Sequence, residues 1–359
     1  MQNIKSRLAA LFVLSFVVIL SSCMKHDMDK MEEKNIDYPA AYIVNGENSA
    51  ISIIRLSDNT VSETIQFPGG GGNMSNMSNM GDMIMWPHHI YNKGNIMAIG
   101  VPGMDLSAGH SGGMAGMKGK VILLDAIKGT IIKDIVTPVM NHNAVFSPDG
   151  SEIWTSQMDM VGRVLVYDAF NYTLKNTINV GNEPAEVTFS EDGTKAYVCN
   201  GMSNSVSVIN PSTKAVISII NVDENPVGAW PAAGGKMFVD CEDGKTIAVI
   251  DVASNVKIAT IQLGFKPGYA ALNKTNGELW VSDATNGKIV YFKDLGSNSW
   301  IKQGEFATGA DAHAIAFNGN FGYVTNQGAN TVSLINLSTH TKVKDIAVGK
   351  KPNGITFKL

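Results

Sequence analysis

Cysteine is scarce in this sequence. The 359 residues contain three, Cys23, Cys199 and Cys241, with no CxxC or CxxCH spacing. That excludes thiol redox motifs and c-type haem attachment. Charge is sparse as well: 28 Lys and Arg against 32 Asp and Glu give a formal net charge of −4. No basic cluster occurs, so nucleic acid is excluded as a partner. Long apolar runs are missing except for one from Leu8 to Leu20, which is too short to span a bilayer as a helix. Behind Lys5 and Arg7 this run reads as a secretory signal. Removing residues 1–22 takes away those two cations and no acid, so the charge falls from −4 to −6.

The run ends in Leu20-Ser21-Ser22-Cys23, which resembles the lipobox of bacterial lipoproteins. The resemblance implies lipidation at Cys23 and a mature chain anchored to a membrane outside the cytoplasm, at the periplasmic face or the cell surface of the outer membrane. Residues 23–37 are polar and charged without apolar periodicity, and read as a tether. His26, Met28 and Met31 lie within it, at a spacing suited only to weak metal capture.

From Tyr38 onward the chain repeats. Pro184 to Val222 reads PAEVTFSEDGTKAYVCNGMSNSVSVINPSTKAVISIINV, four short alternating runs separated by turn residues. Equivalent apolar residues of the first run are Phe146, Phe189, Trp230, Leu272, Phe317 and Phe357, spaced 40 to 45 residues apart. Four strands at that period describe a β-propeller blade. Tyr323-Val324-Thr325-Asn326, and Tyr197-Val198-Cys199-Asn200 with one departure, resemble the YVTN family of propeller repeats. The resemblance specifies a fold and little of function. The segment from Ala40 lacks an initial strand, and Lys351–Leu359 supplies only an initial strand. Together they complete a seventh blade, so the expected fold is an all-β, seven-bladed propeller over residues 38–359, closed by its C-terminal strand.

Two insertions, at 68–86 and 101–119, interrupt blade 2. They are rich in Gly, Asn, Ser and Met, and half of the eighteen methionines lie between Met74 and Met117. Thioether and imidazole ligands suit copper, with methionine favouring Cu(I). The candidate thioether ligands are Met74, Met77, Met80, Met83, Met104, Met114 and Met117. In a propeller both insertions fall on one face, together with Met158, Met160 and Met202. Alignment of the repeats puts His88, His142 and His313 at one position, the top of the innermost strand in blades 2, 3 and 7, where blade 1 carries Asn353. The three imidazoles are expected to form an arc at the channel mouth, with His110 able to join from the loop. His89 is expected to point to the opposite side of its strand, in a supporting position with Met140, Met158, Met160 and Asn353. His340 falls in a turn on the far face. Cys199 reads as a buried strand residue, and its separation from Cys241 by a blade argues against a disulfide.

The leading expectation is a monomeric, lipid-anchored propeller that captures, stores or hands over copper, Cu(I) or Cu(II), to a copper-handling envelope protein, and is not an enzyme. The alternatives are a metal-free interaction scaffold, with Met-rich loops as adaptable contacts, or a redox enzyme similar in architecture to nitrous oxide reductase or haem d1 propellers. A lactonase-like hydrolase would need carboxylates in the channel, where Glu186 and Asp311 are the only acids expected.

Overall fold

A computed structural model of the chain describes residues 31–69, 83–108, 117–232 and 234–359. They form seven four-stranded antiparallel sheets arranged as the blades of a propeller. Blade 4 is representative, with strands Pro184–Phe189, Ala196–Asn200, Ser205–Ile209 and Val216–Asn221 running outward from the hub. Two short 3-10 turns, Leu106–Ala108 and Gly201–Ser203, are the only helical segments among the described residues, and no helix there is long and apolar enough to cross a membrane.

Successive side chains of a strand face opposite sides of the sheet, and here each side meets a neighbouring blade. Tyr197, Cys199, Val206 and Val208 of blade 4 pack on Met237, Val239 and Ala248 of blade 5. Ala196, Val198 and Ile209, one residue out of step, pack on Trp154 and Val164 of blade 3. The second strands are therefore buried throughout, as in Glu152–Gln157 and Glu278–Asp283. Outermost strands face solvent: in Leu174–Asn179 only Ile178 is buried. The core is thus divided among the interfaces between adjacent blades.

The turns between third and fourth strands repeat one device. Asp125, Asp168, Asn210, Asp251 and Asn336 each accept hydrogen bonds from backbone N–H groups two or three residues on. The residue four places on is left-handed: Gly129, Tyr172, Lys214, Asn255 and His340. His340 is accordingly a far-face turn residue, its Nε2 2.8 Å from Glu278 Oε2 and its ring stacked on Tyr291.

Blade 1 joins the two ends of the chain, with Pro352–Lys358 as its inner strand beside Ala40–Asn45. Ala41 pairs with Phe357 and Ile43 with Ile355. Gly354 N donates to His88 O at 3.0 Å and Thr325 Oγ1 donates to Asn353 O at 2.9 Å, tying the closing strand to blades 2 and 7. The expected tether is shorter than residues 23–37. Ile36 is fully buried between blades 1 and 2, and Ile36 N bonds Ile127 O at 2.9 Å. Residues 1–30, with Cys23, His26 and Met28, and also Met74, Met77, Met80, His110 and Met114, lie outside the described residues.

Deleting Lys351–Leu359 removes the inner strand of blade 1 and exposes a sheet edge and two inter-blade interfaces. The truncated chain is expected to lose the single cooperative unfolding transition of the parent in a denaturant titration. Retention of the parental midpoint and slope would show that closure is dispensable.

Candidate metal centre at the hub

At the top of the innermost strands two consecutive residues oppose one residue of the next strand. Ala185–Glu186 stand opposite Cys199, Val227–Gly228 opposite Asp240, Gly268–Tyr269 opposite Ser282, and His313–Ala314 opposite Thr325. In blade 2 the same arrangement is closed by His88 N to Gly100 O at 2.9 Å and Gly100 N to His89 O at 3.1 Å. This is a β-bulge, which interrupts the alternation of side chains and re-aims them. His88 and His89 therefore both face the hub, with ring centroids 4.3 Å apart. The expected placement of His89 on the opposite side of its strand rested on unbroken alternation, which the bulge removes.

Gly100 opposite this bulge has no room for a side chain: an added Cβ would lie 2.6 Å from Asn143 Cα. Blade 3 can therefore approach closely, and His142 comes within 4.4 Å of His88 and 5.1 Å of His89, centroid to centroid. One nitrogen from each of His88, His89 and His142 lies within 4.8 Å of the others, and all three residues are buried. His313 stands further off, its ring 5.9 Å from both His88 and His89. The tightest trio thus exchanges His313 for His89. Asn353, at the same repeat position in blade 1, is bound through Oδ1 to Gln327 Nε2 at 3.1 Å.

Glu186 anchors the cluster from blade 4. It is 1% exposed, with Oε1 2.9 Å from His89 Nε2 and 3.2 Å from His142 Nδ1. Burial alone would raise its pKa, but the charge and hydrogen bonding of His89 and His142 outweigh burial and hold the carboxyl at about 2. Its second oxygen has no hydrogen-bond partner among the described residues, nor has His313 Nδ1. Burial lowers His142, with Glu186 opposing, and lowers His313 to about 3, reinforced by His89 and His142. The hub therefore presents an ionised carboxylate, with His142 and His313 neutral at neutral pH. Such a set fits a dication, which needs deprotonated imidazoles and offsets a buried negative charge.

These groups floor a cavity of about 700 Å³ that opens on the face carrying the blade 2 insertions. Trp230 and Asp240 also line it; Asp240 Oδ1 accepts from Trp230 Nε1 at 2.7 Å and Gly228 N at 3.0 Å, and the Trp230 ring lies 3.8 Å from that of Tyr269. Burial, with the charges of Glu242 and Glu186, pushes Asp240 well above the usual carboxylate range. Two sequence expectations change here. Strand register places Pro231, paired with Met237, at the repeat position expected for Trp230, as Phe189 pairs with Ala196. Trp230 sits one residue earlier and lines the cavity. Acids at this level are also more numerous than Glu186 and Asp311: Asp240, Glu183, Glu224, Glu242 and Asp243 line it too. Cys199 and Cys241 are free, and burial raises both thiols, Cys241 to about 12, so neither supplies a thiolate.

Of the described methionines, Met104 and Met117 from the second insertion pack with Leu106, Met140 and Met158 beside the hub. Met160 is 61% exposed and stands apart from them. Met83 lies against Gly69 instead.

No protein-family model and no curated protein matches the sequence. Solved structures do. A candidate 6-phosphogluconolactonase from Bacteroides fragilis is 15% identical with a TM-score of 0.67, over 89% of this chain and 98% of that one. The periplasmic gluconolactonase of Pseudomonas aeruginosa is 15% identical with a TM-score of 0.66, over 89% of this chain and 99% of that one. A dihydro-haem d1 dehydrogenase is 10% identical with a TM-score of 0.59, over 92% of this chain and 80% of that one. The likeness is one of fold.

The depressed histidines give the metal-free protein a defined pH response. Unfolded His titrates near 6.5, so His313, at about 3 when folded, contributes stability present in full above pH ~6.5. That contribution is lost as pH falls from there towards about 3, because the unfolded chain takes up the proton first. Asp240 acts with the opposite sign, since its raised pKa favours the fold as pH falls. The stability difference between parent and His313→Asn is therefore expected to shift against the parent on acidification, by up to about 1.4 kcal/mol per pH unit. Denaturant midpoints from pH 7 to 4 test it; a difference independent of pH would show that His313 is not held neutral.

Proposed function

We propose that this chain is a copper-binding propeller whose hub holds the ion through His88, His89 and His142, with Glu186 fixing the orientation of His89 and His142. The observation that carries the reading is the convergence of three buried imidazoles, one nitrogen of each within 4.8 Å of the others, around a buried carboxylate whose second oxygen has no partner among the described residues. Imidazole ligands suit copper, zinc and other late first-row ions. The concentration of methionines around the same face favours copper, because thioethers select Cu(I). The open cavity above the cluster supports capture and release, and lets a partner or small chelate deliver the ion.

His88→Ala/His89→Ala/His142→Ala is expected to abolish tight Cu(II) binding measured by competition with a chromophoric chelator. Glu186→Gln keeps the shape and removes the charge, and is expected to weaken Cu(II) binding roughly 10–100-fold, the usual cost of losing a carboxylate that orients ligand histidines. Parental affinity in the triple variant would sink the hub site.

The reading extends to the chain's location. The resemblance of Leu20-Ser21-Ser22-Cys23 to lipoprotein signals supports a propeller outside the cytoplasm, held to a membrane through Cys23. Cys23→Ser is expected to leave an unprocessed precursor or to release the protein from membranes on fractionation. A processed Cys23→Ser chain that still pellets with membranes would contradict the anchor.

The volume of the cavity favours a second reading. About 700 Å³ is far more than an ion needs, and Trp230 and Asp240 on its lining offer an aromatic ring and a polar group. An organic ligand beside the metal, including a haem-type macrocycle, would use them. Visible absorbance of protein purified from its native envelope separates this reading from ion capture alone.

A further inference from the structure

We infer that Met104, Met117, Met140 and Met158 form a second copper site, a thioether cluster for Cu(I) beside the hub; the inference rests on the copper reading proposed above. Four of the five side chains in this small cluster are methionine, with Leu106 the fifth. Such a composition is foreign to the inter-blade interfaces, where no more than two methionines join a much larger set of Ile, Val, Leu and Ala. The chain brings these thioethers together from three separate stretches. Met104 and Met117 come from the two ends of one insertion. Met140 and Met158 flank the inner strands of blade 3, where Met158 N donates to Met140 O at 2.9 Å.

The surroundings select a soft, singly charged ion. The carboxylates next in sequence to Met104 and Met158 are engaged elsewhere: Asp105 with Lys351 Nζ at 2.6 Å, and Asp159 with Arg163 Nη2 at 2.6 Å. A dication would find no charge compensation among neutral thioethers, whereas Cu(I) prefers sulfur and tolerates an apolar setting. Exposure is graded along the cluster. Met140 and Met158 are buried, while Met104 and Met117 are half-buried, so an ion can enter at the latter pair and be held by the former. The cluster also adjoins the hub. Leu106 lines the same cavity as His88 and His142, and Met140 lies two residues before His142. Cu(I) held here is positioned next to the imidazole site without passing through bulk solvent.

The test uses the full chain, Cu(I) under anaerobic conditions, a chromophoric competitor and X-ray absorption of the bound metal. The thioethers of Met74, Met77, Met80, Met83 and Met114 are first removed by Met→Leu substitution, so that they cannot supply sulfur. This variant is expected to keep a tight Cu(I) equivalent with a sulfur shell. Adding Met104→Leu, Met117→Leu, Met140→Leu and Met158→Leu is expected to remove both. Leucine preserves apolar volume, so the fold is expected to survive. If the full set fails to fold, Met104→Leu/Met117→Leu alone is expected to lower the sulfur coordination number. A sulfur shell already lost in the first variant, or unchanged after the cluster substitutions, would overturn the inference. The triple histidine variant separates the two sites: it is expected to lose tight Cu(II) while keeping the sulfur-bound Cu(I).

Discussion

Every blade of this protein is a sheet with two apolar faces, and neither face is buried until a neighbouring blade covers it. The seven inter-blade cores therefore depend on the ring being complete. Pairing of Pro352–Lys358 with Ala40–Asn45 is the bond on which completion turns. It joins the first and last described strands of the chain and covers both faces of blade 1 at once. Ile36 adds to the interface of blades 1 and 2 from outside the blades. Because the hub lies on the axis of this ring, its side chains meet only when the ring is closed.

The hub is also where regular pairing is broken. A bulge that sets two residues against one recurs at the top of the inner strands, and its occupants decide the character of the site. Where the pair is small, as in Val227–Gly228 or Asn353–Gly354, neighbours approach closely; an added Cβ on Gly354 would come within 2.7 Å of His88 O. Where it carries imidazole or carboxylate, as in His88–His89 and at Glu186, polar groups are presented to the hub. The cavity is thus lined by four imidazoles together with Trp230 and Asp240. Burial sharpens the contrast: it lowers His142 and His313 and raises Asp240, whereas Glu186 stays ionised because two imidazoles face it.

Hard and soft donors are segregated on the top face. Imidazole and carboxylate collect on the axis, and thioethers collect over blades 2 and 3. Arrangement by strand position explains the first group, since equivalent residues of a repeat must converge in a ring. The second arises from an insertion folding back onto its neighbour, which no repeat dictates.

Fold was legible in the sequence because a blade is a local object: alternating runs, turn residues and a constant period lie within some forty residues of each other. Closure was legible too, because the partial repeats at the two ends are complementary. The placement of His88, His142 and His313 at one level followed from counting along that repeat. His89 did not follow, since it depends on a bulge that changes which way a side chain points without leaving a distinct residue type behind; Trp230 did not, since an aromatic one residue before Pro231 mimics the repeat position that strand register gives to Pro231. Asp240 escaped for a related reason: it belongs to a second strand, and only the bulge opposite it opens a path to the cavity. The grouping of Met104, Met117, Met140 and Met158 required the tertiary structure, because it joins residues whose separation in the chain carries no period. Sequence alone determined the propeller and the level of its histidines, through short-range pattern; only the tertiary structure decided which donors share a site, because that depends on bulge geometry and on contacts between blades.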